Sequence, residues 1–376
     1  MTALGPDVPF LVVGCGSIGR RHLGNLKTLG ATRLLAFDPS QERRAAAEAD
    51  FGAEPVAALE EGLAALRAMG GAPGAPGAPH RAMGGTSGVS REATTDTPAG
   101  AVLLCSPTAL HLEQAHQTVL AGAHLFIEKP INHVREGVPD LLREADARGV
   151  RILVGCNFRF DRGLRRMKES LAAGVVGRPL MASATFGQYL PDWHPWEDYR
   201  KGYSARKELG GGILLDAVHE MDAIRWLLGE VEAVSCFAGQ VGDLEVDVED
   251  HADLLLRFKS GITGQVHVDY LRRSYHRGVE VHGTEGSLIW TFQERELRRY
   301  HAEAKEWSVE EWKADPDYSV NTMYLDEMRH FIRVVQGTEP SVQDGWEGLR
   351  VLDIALAARR SAQSGQVEAL PPWEER

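Results

Sequence analysis

The chain reads as an α/β protein in two parts: a doubly wound parallel sheet over residues 1–156, then an α+β domain over residues 157–376 with a mostly antiparallel sheet. Three observations predict this. Up to about residue 155, short continuous apolar runs alternate with helical patterns, as expected of strands buried on both faces by crossover helices. After Asn157 the texture changes to alternating strands joined by short turns such as Lys259-Ser260-Gly261, the mark of antiparallel pairing. The length of 376 residues also exceeds the roughly 150 of a single domain.

In the first part, Phe10–Val13 is a four-residue apolar strand ended by glycine. Ser17 to Leu29 carries Ile18, Leu26 and Leu29 at near-helical spacing, and Gly30 stops it. Arg33–Phe37 is the second strand, and an alanine-rich helix runs from Gln41 to about Asp50. Ala101–Leu104, a helix over Leu110–Ala121, Leu125–Ile127, a helix around Val138–Arg148 and Arg151–Val154 continue the alternation. From about residue 70 to 100 the rhythm breaks: eight glycines, four prolines and a repeated Gly-Ala-Pro over Gly71–Pro79 predict a flexible surface insertion.

In the second part, a helix over Leu164–Ala173 precedes Pro179 and an aromatic-rich loop from Gln188 to Tyr203. One helix is expected from about Gly212 to Leu228. Strands follow at Val231–Phe237, Ala252–Phe258, Gly264–Tyr270, Val279–His282 and Ser287–Trp290. Amphipathic helices over Met323–Val335 and Gly345–Ser361 close the chain.

Composition excludes several classes of function. Hydrophobic residues at 43% and charged residues at 25% fit a soluble globular chain. Forty glycines and 18 prolines in 376 residues stay below the roughly 25–30% of low-complexity chains. A net charge of −12 repels nucleic-acid phosphates and anionic lipid, so neither nucleic acid nor a membrane is an expected partner. The four cysteines, Cys15, Cys105, Cys156 and Cys236, are scattered and read as inert thiols. Met1–Pro9 lacks a leader pattern, and no apolar run approaches the roughly 18 residues of a membrane span, so a cytoplasmic location is expected.

Gly14-Cys15-Gly16-Ser17-Ile18-Gly19 links the first strand to the first helix. Its glycines permit a tight turn, backbone approach to a pyrophosphate and close helix packing, while the helix N-terminus offers free N–H groups to phosphates. Asp38 lies 19 residues beyond the last glycine, close to the roughly 20 expected of the acid that accepts from the adenosine ribose. It favours NAD over NADP, although Arg43 and Arg44 temper the preference. A structural glycine turn with a helix-capping Asp38 is the competing reading. Ser106 and Thr108 end another strand and are candidate contacts for ribose or nicotinamide, with Thr108 alternatively a helix cap.

Glu128-Lys129-Pro130 ends a buried strand at the same crevice, and a lysine there can polarise a substrate hydroxyl or carbonyl. Asp216, His219 and Asp222 step by three and share a broad face if the segment is one helix. His219 is then the natural general acid–base, oriented by Asp216; a buried polar face satisfied by the other domain is the alternative. Gly210-Gly211-Gly212 leaves room for a ligand against the helix start. No metal is expected, because no thiolate pair is near and this His/Asp group has a non-metal role. In the loop, Trp193, Trp196, Tyr199 and Tyr203 can stack on a sugar while Arg200, Lys201, Arg206 and Lys207 meet a carboxylate or phosphate; packing against a neighbouring subunit is the alternative.

Together, the glycine loop continuing to His22, Ser106-Pro107-Thr108-x-x-His111, Glu128-Lys129-Pro130, the Gly-Gly-x-Leu-x-Asp-x-x-His-x-x-Asp segment and His282-Gly283-Thr284-Glu285-Gly286 resemble the Gfo/Idh/MocA oxidoreductases over almost the whole chain. The resemblance implies an N-terminal Rossmann domain, a C-terminal open sheet used for homodimer or homotetramer contacts, and hydride transfer between NAD(P) and a sugar, cyclitol or related alcohol. It places Lys129, Asp216 and His219 on catalytic positions, and Asn157 and Arg159 where substrate contacts often lie. Ser17, Ile18, His111, Glu128 and Lys129 join the expected cofactor surface; Trp193, Tyr203 and Arg206 join the expected substrate surface. The Asp216–His219 spacing is one residue shorter than in many members. This spacing, with Pro191–Pro195 and Tyr203-Ser204-Ala205, resembles a branch tied to surface-polysaccharide and acidic-sugar pathways. Two other readings stand beside the dehydrogenase: an NAD-dependent glycosidase that oxidises its sugar transiently, and a non-catalytic sugar or nucleotide sensor.

Overall fold

The computed structural model describes residues 8–69, 100–193 and 195–373, so the expected insertion falls outside the described residues. Six strands build the first sheet: β1 (Phe10–Val13), β2 (Leu34–Phe37), β3 (Glu54–Val56), β4 (Ala101–Leu104), β5 (His124–Glu128) and β6 (Ile152–Gly155). All are parallel, in the order β3-β2-β1-β4-β5-β6. Val13 pairs with both Phe37 and Leu104, so β1, β2 and β4 end on one edge. The order reverses between β1 and β4, which opens a ligand crevice beyond their carboxyl ends.

Helices α1 (Ser17–Thr28), α2 (Gln41–Phe51), α3 (Leu59–Met69), α4 (His111–Leu120) and α5 (Val138–Ala147) belong to this sheet. Gly30 follows α1 at φ +91° and ends it, as expected. Strand β3 and helix α3 escape the sequence reading. In β3 only Val56 is buried, and Pro55 occupies an edge strand where a missing N–H is tolerated. In α3 the apolar stripe reduces to Leu59, Leu63 and Leu66 before the glycine-rich run begins.

The second sheet has nine strands: β7 (Pro179–Gly187), β8 (Val231–Gly239), β9 (His251–Phe258), β10 (Thr263–Asp269), β11 (His276–Gly283), β12 (Gly286–Thr291), β13 (Glu296–His301), β14 (Glu306–Glu311) and β15 (Glu368–Ala369). The order is β14-β13-β12-β11-β7-β10-β9-β8-β15, with β7 and β10 parallel and the other neighbours antiparallel. Sequence reading misses β7 because its inward positions include the small Ala182 and Ala184. It misses the β13–β14 hairpin because charged residues dominate, and every residue of β14 is exposed.

Further helices are α6 (Arg162–Ala172), α7 (Ile213–Asp216), α8 (Val218–Leu228), α9 (Val320–Val335) and α10 (Gly345–Ser364). The single helix expected over Gly212–Leu228 is therefore two, broken at Ala217 (φ −95°, ψ 36°). The closing helices join the two sheets. Met328, Phe331 and Ile332 of α9 enter a core cluster with Phe10, Val12, Leu23 and Phe126 of the first sheet and α1. On α10, a Cβ at Gly348 would lie 2.4 Å from Val154 Cγ2, so this glycine brings the helix onto β6. The outer face of the large sheet is bare: Phe237 is 81% exposed, Leu255 63% and Met181 54%.

Candidate active site

The glycine loop forms a cradle that fits a dinucleotide. Gly14 sits at φ +91°, and a Cβ there would fall 2.7 Å from the Cys105 backbone. A Cβ at Gly19 would lie 1.9 Å from Gly14 O, which is the close helix–strand approach the motif requires. At Gly16 a Cβ would meet only Arg43 Nη1, at 4.0 Å, so the backbone is open for a phosphate. No side chain caps α1, which leaves its first N–H groups for an anion. Asp38, just beyond β2, is buried; its carboxylate accepts from Cys15 N and Ser40 N at 2.8 Å each, and Arg43 Nη1 lies 3.8 Å away.

Beyond β5, Lys129 crosses to the second sheet's helices. Its Nζ donates to Asp216 Oδ1 at 2.6 Å and to Asp216 O at 2.8 Å. Asp216 also accepts from Tyr203 (2.5 Å), Ser204 (2.6 Å) and Tyr270 (3.1 Å) hydroxyls. Burial opposes both charges. The paired carboxylate nonetheless pushes the Lys129 pKa up, and the ammonium and hydroxyl donors hold Asp216 below the ordinary carboxylate value. The pair is thus a fixed ammonium–carboxylate unit with an ionised lysine.

His219 follows on α8. Burial, then the charges of Lys129 and Arg277, lower its pKa well below the ordinary histidine value. Its Nδ1 is buried with no hydrogen-bond partner among the described residues, and Phe158 packs edge-on at 5.1 Å. Burial beside a permanent ammonium thus keeps this imidazole neutral. The expected Asp216–His219 contact is absent because the break at Ala217 turns Asp216 toward Lys129. Asp222, on the same helix as His219, pairs with Arg159.

Several residues expected at the ligand also make contacts within the protein. Arg159 is buried, paired with Asp222 at 2.5 Å and Glu347 at 3.0 Å, and Glu347 pairs in turn with Arg225 at 2.9 Å. Its guanidinium therefore joins α8 to α10. Replacing Arg159 with Ala should lower stability by about 3–5 kcal/mol, since it strands the buried Asp222 carboxylate, while Glu347 keeps Arg225. Denaturant unfolding checks this; a large KM increase at unchanged stability would contradict it. Asn157 is buried with Nδ2 unpartnered among the described residues. Glu128 accepts or shares a proton with His22 Nε2 at 2.6 Å. Both His111 ring nitrogens face main-chain carbonyls, of Pro130 (3.0 Å) and Ser106 (2.9 Å), so the ring ties the β4 and β5 loops together. Ser106 Oγ donates to Gln114 at 2.6 Å, and Thr108 is buried against Gly210.

Space beside the triple glycine is filled by the protein itself. A Cβ at Gly211 would lie 2.1 Å from Tyr203 O, and one at Gly212, 2.5 Å from Glu249. In the loop, Trp193 packs on Phe186 and Tyr270 and donates to Gln188 O at 3.3 Å. Arg206 donates to Arg200 O at 2.5 Å and lies 3.9 Å from Asp247; Arg200 pairs with Asp198 and Glu245. Much of the basic cluster is thus locally paired. Sequence reading misses Tyr270 and Arg277, whose strands are recognisable but whose register is not. Arg277 pairs with Glu220 at 2.6 Å between the rings of Phe158 and Phe186.

A Rossmann cradle facing a lysine–aspartate pair and a neutral histidine defines the class: an NAD-dependent oxidoreductase. Residues 8–156 match the model of the oxidoreductase family with an NAD-binding Rossmann fold, and residues 164–289 match the GFO/IDH/MocA C-terminal domain. The chain belongs to the Gfo/Idh/MocA family. Myo-inositol 2-dehydrogenase of Thermotoga maritima is 29% identical over 361 residues, covering 94% of this chain and 95% of the relative. The WlbA dehydrogenase from Bordetella pertussis, solved with NADH and UDP-GlcNAcA, has a TM-score of 0.74 at 26% identity, over 97% of this chain and 99% of that one. Levoglucosan dehydrogenase in complex with NADH shares the fold, with a TM-score of 0.80 at 20% identity over 97% and 100% of the two chains. Among the described residues, no helix is long and apolar enough to cross a membrane.

Proposed function

We propose that the protein moves a hydride between NAD and a hydroxyl-bearing carbon of a sugar, cyclitol or sugar derivative. The observation that carries this reading is Lys129 Nζ held 2.6 Å from Asp216, with its charge felt by the neutral His219. When bound, NAD supplies the hydride acceptor. The loop Gly14–Gly19 and the start of α1 hold the pyrophosphate through N–H groups, and Asp38 receives the adenosine ribose hydroxyls. His219 takes the substrate hydroxyl proton. Lys129 has three donors, of which Asp216 takes two; the third, which reaches the Tyr203 hydroxyl only at 3.5 Å, turns to stabilise the developing alkoxide oxygen. Tyr203, Ser204 and Tyr270 keep Asp216 in place.

The inositol and levoglucosan enzymes among the similar proteins support a cyclic polyol or sugar substrate. An acidic or nucleotide-linked sugar is the finer reading, supported by the WlbA complex with UDP-GlcNAcA. The bare sheet face bearing Phe237 and Leu255 is the proposed contact between copies in a homodimer or homotetramer. Four free cysteines suit a reducing compartment, and the cytoplasm is the proposed location.

Incubation of the purified chain with NAD and a panel of cyclitols, uronic sugars and nucleotide-linked sugars tests the reading. NADH should accumulate with one class. Free sugar released from a glycoside with no net NADH would instead identify the glycosidase, and saturable binding with neither product the sensor.

A further inference from the structure

Strands β9 and β10 each carry a His-x-Asp sequence, His251-Ala252-Asp253 and His267-Val268-Asp269. Antiparallel pairing sets Asp253 directly opposite His267 and His251 opposite Asp269. The period of two puts all four on one face, with His251, Asp253 and His267 part-exposed and Asp269 buried, while Ala252 and Val268 enter the core. The result is a two-by-two block on the sheet face. Asp253 lies between two imidazoles, 2.9 Å from His251 Nε2 and 2.8 Å from His267 Nδ1.

We propose that His251, Asp253 and His267 form a binding site for a divalent transition-metal cation of the zinc type, with Asp269 holding His267 from behind. One ligand atom from each of the three already lies within 4.8 Å of the others. Ligands about 2.0–2.2 Å from a tetrahedral ion sit about 3.4 Å apart, so small side-chain rotations close the site. Two imidazoles with one carboxylate select zinc, nickel or copper over magnesium and calcium, which prefer all-oxygen shells. Asp269 adds the feature that distinguishes a ligand histidine from a surface one. Its Oδ2 lies 3.0 Å from His267 Nε2, while its Oδ1 accepts from Leu271 N and Arg272 N at 2.8 and 2.6 Å. The Asp269 carboxylate on Nε2–H fixes the ring, the arrangement that orients metal-bound histidines, and a metal ion at Nδ1 would replace the proton that His267 now donates to Asp253 Oδ1 at 2.8 Å. The bound ion would cross-link β9 to β10, and because Asp253 pairs with Phe237 across β8 and β9, its fourth position would open at the proposed contact between copies.

The sequence expectation of no metal rested on cysteine pairs and on the His219 segment. This block becomes compact only through strand register, since 13 residues separate Asp253 from His267 along the chain.

The test uses the full chain, stripped by chelator dialysis and titrated with zinc chloride against a chromophoric chelator. Wild type should bind about one zinc per chain, and cobalt(II) should give the intense visible bands of a tetrahedral centre. The H251A/H267A double variant should lose both while keeping NAD-dependent turnover and far-UV circular dichroism. D269N keeps the backbone-accepting oxygen and should weaken zinc about 10–100-fold. Equal zinc stoichiometry and affinity in wild type and H251A/H267A would overturn the proposal, as would an octahedral cobalt spectrum in wild type.

Discussion

Replacing His219 with Asn should lower kcat/KM for NAD-dependent sugar oxidation about 10²–10⁴-fold, the ordinary worth of a positioned general base. NAD affinity should hold, because the glycine cradle and Asp38 lie on the other sheet. The pH profile distinguishes this role from a structural one. Burial and the neighbouring positive charges lower the His219 pKa well below 6.5, so the acid limb of wild-type kcat/KM should fall below the usual histidine range. Stability moves with the same group. Below pH 6.5 the unfolded chain takes up a proton that folded His219 refuses, so its contribution to stability declines as the pH falls. Rate–pH profiles and thermal unfolding across mildly acidic pH check both. Normal turnover in H219N would remove histidine from the chemistry.

Lys129→Met should abolish most turnover and also destabilise the fold. The Lys129 and Asp216 side chains are 15% and 1% exposed, so removing the ammonium leaves a buried carboxylate without its counter-charge. Breaking such a pair costs about 3–5 kcal/mol. Three hydroxyls still donate to Asp216, which favours the lower end of that range. The double variant K129M/D216N separates the two effects. It should recover part of the lost stability, because no anion is then buried, yet stay inactive, because no ammonium faces the substrate oxygen. Denaturant unfolding and NADH formation for the four chains form the cycle. Recovery of turnover in the double variant would show that Lys129 serves Asp216 alone.

The distribution of legible and illegible features follows from range. Phe10–Val13 and Ala101–Leu104 are recognisable as strands because they are buried on both faces and remain apolar throughout. The role of Gly30 is equally local, a backbone conformation that glycine adopts without strain. Strand β7 is illegible because its pairing with β10 and β11, not its composition, makes it central to the sheet. Arg159 illustrates the same limit at the site: its position after β6 points to a ligand contact, whereas Asp222 and Glu347, far along the chain, claim its guanidinium.

By itself the sequence determined the parallel sheet and the glycine loop with its acid, since each depends on neighbours within a few tens of residues. Only the tertiary structure decided who partners whom. The break at Ala217 swings Asp216 away from His219 and onto an amine 87 residues earlier, and register alone sets Asp253 against His267. Hydrogen bonds and ion pairs act over a few ångströms in space, and chain order does not report that distance.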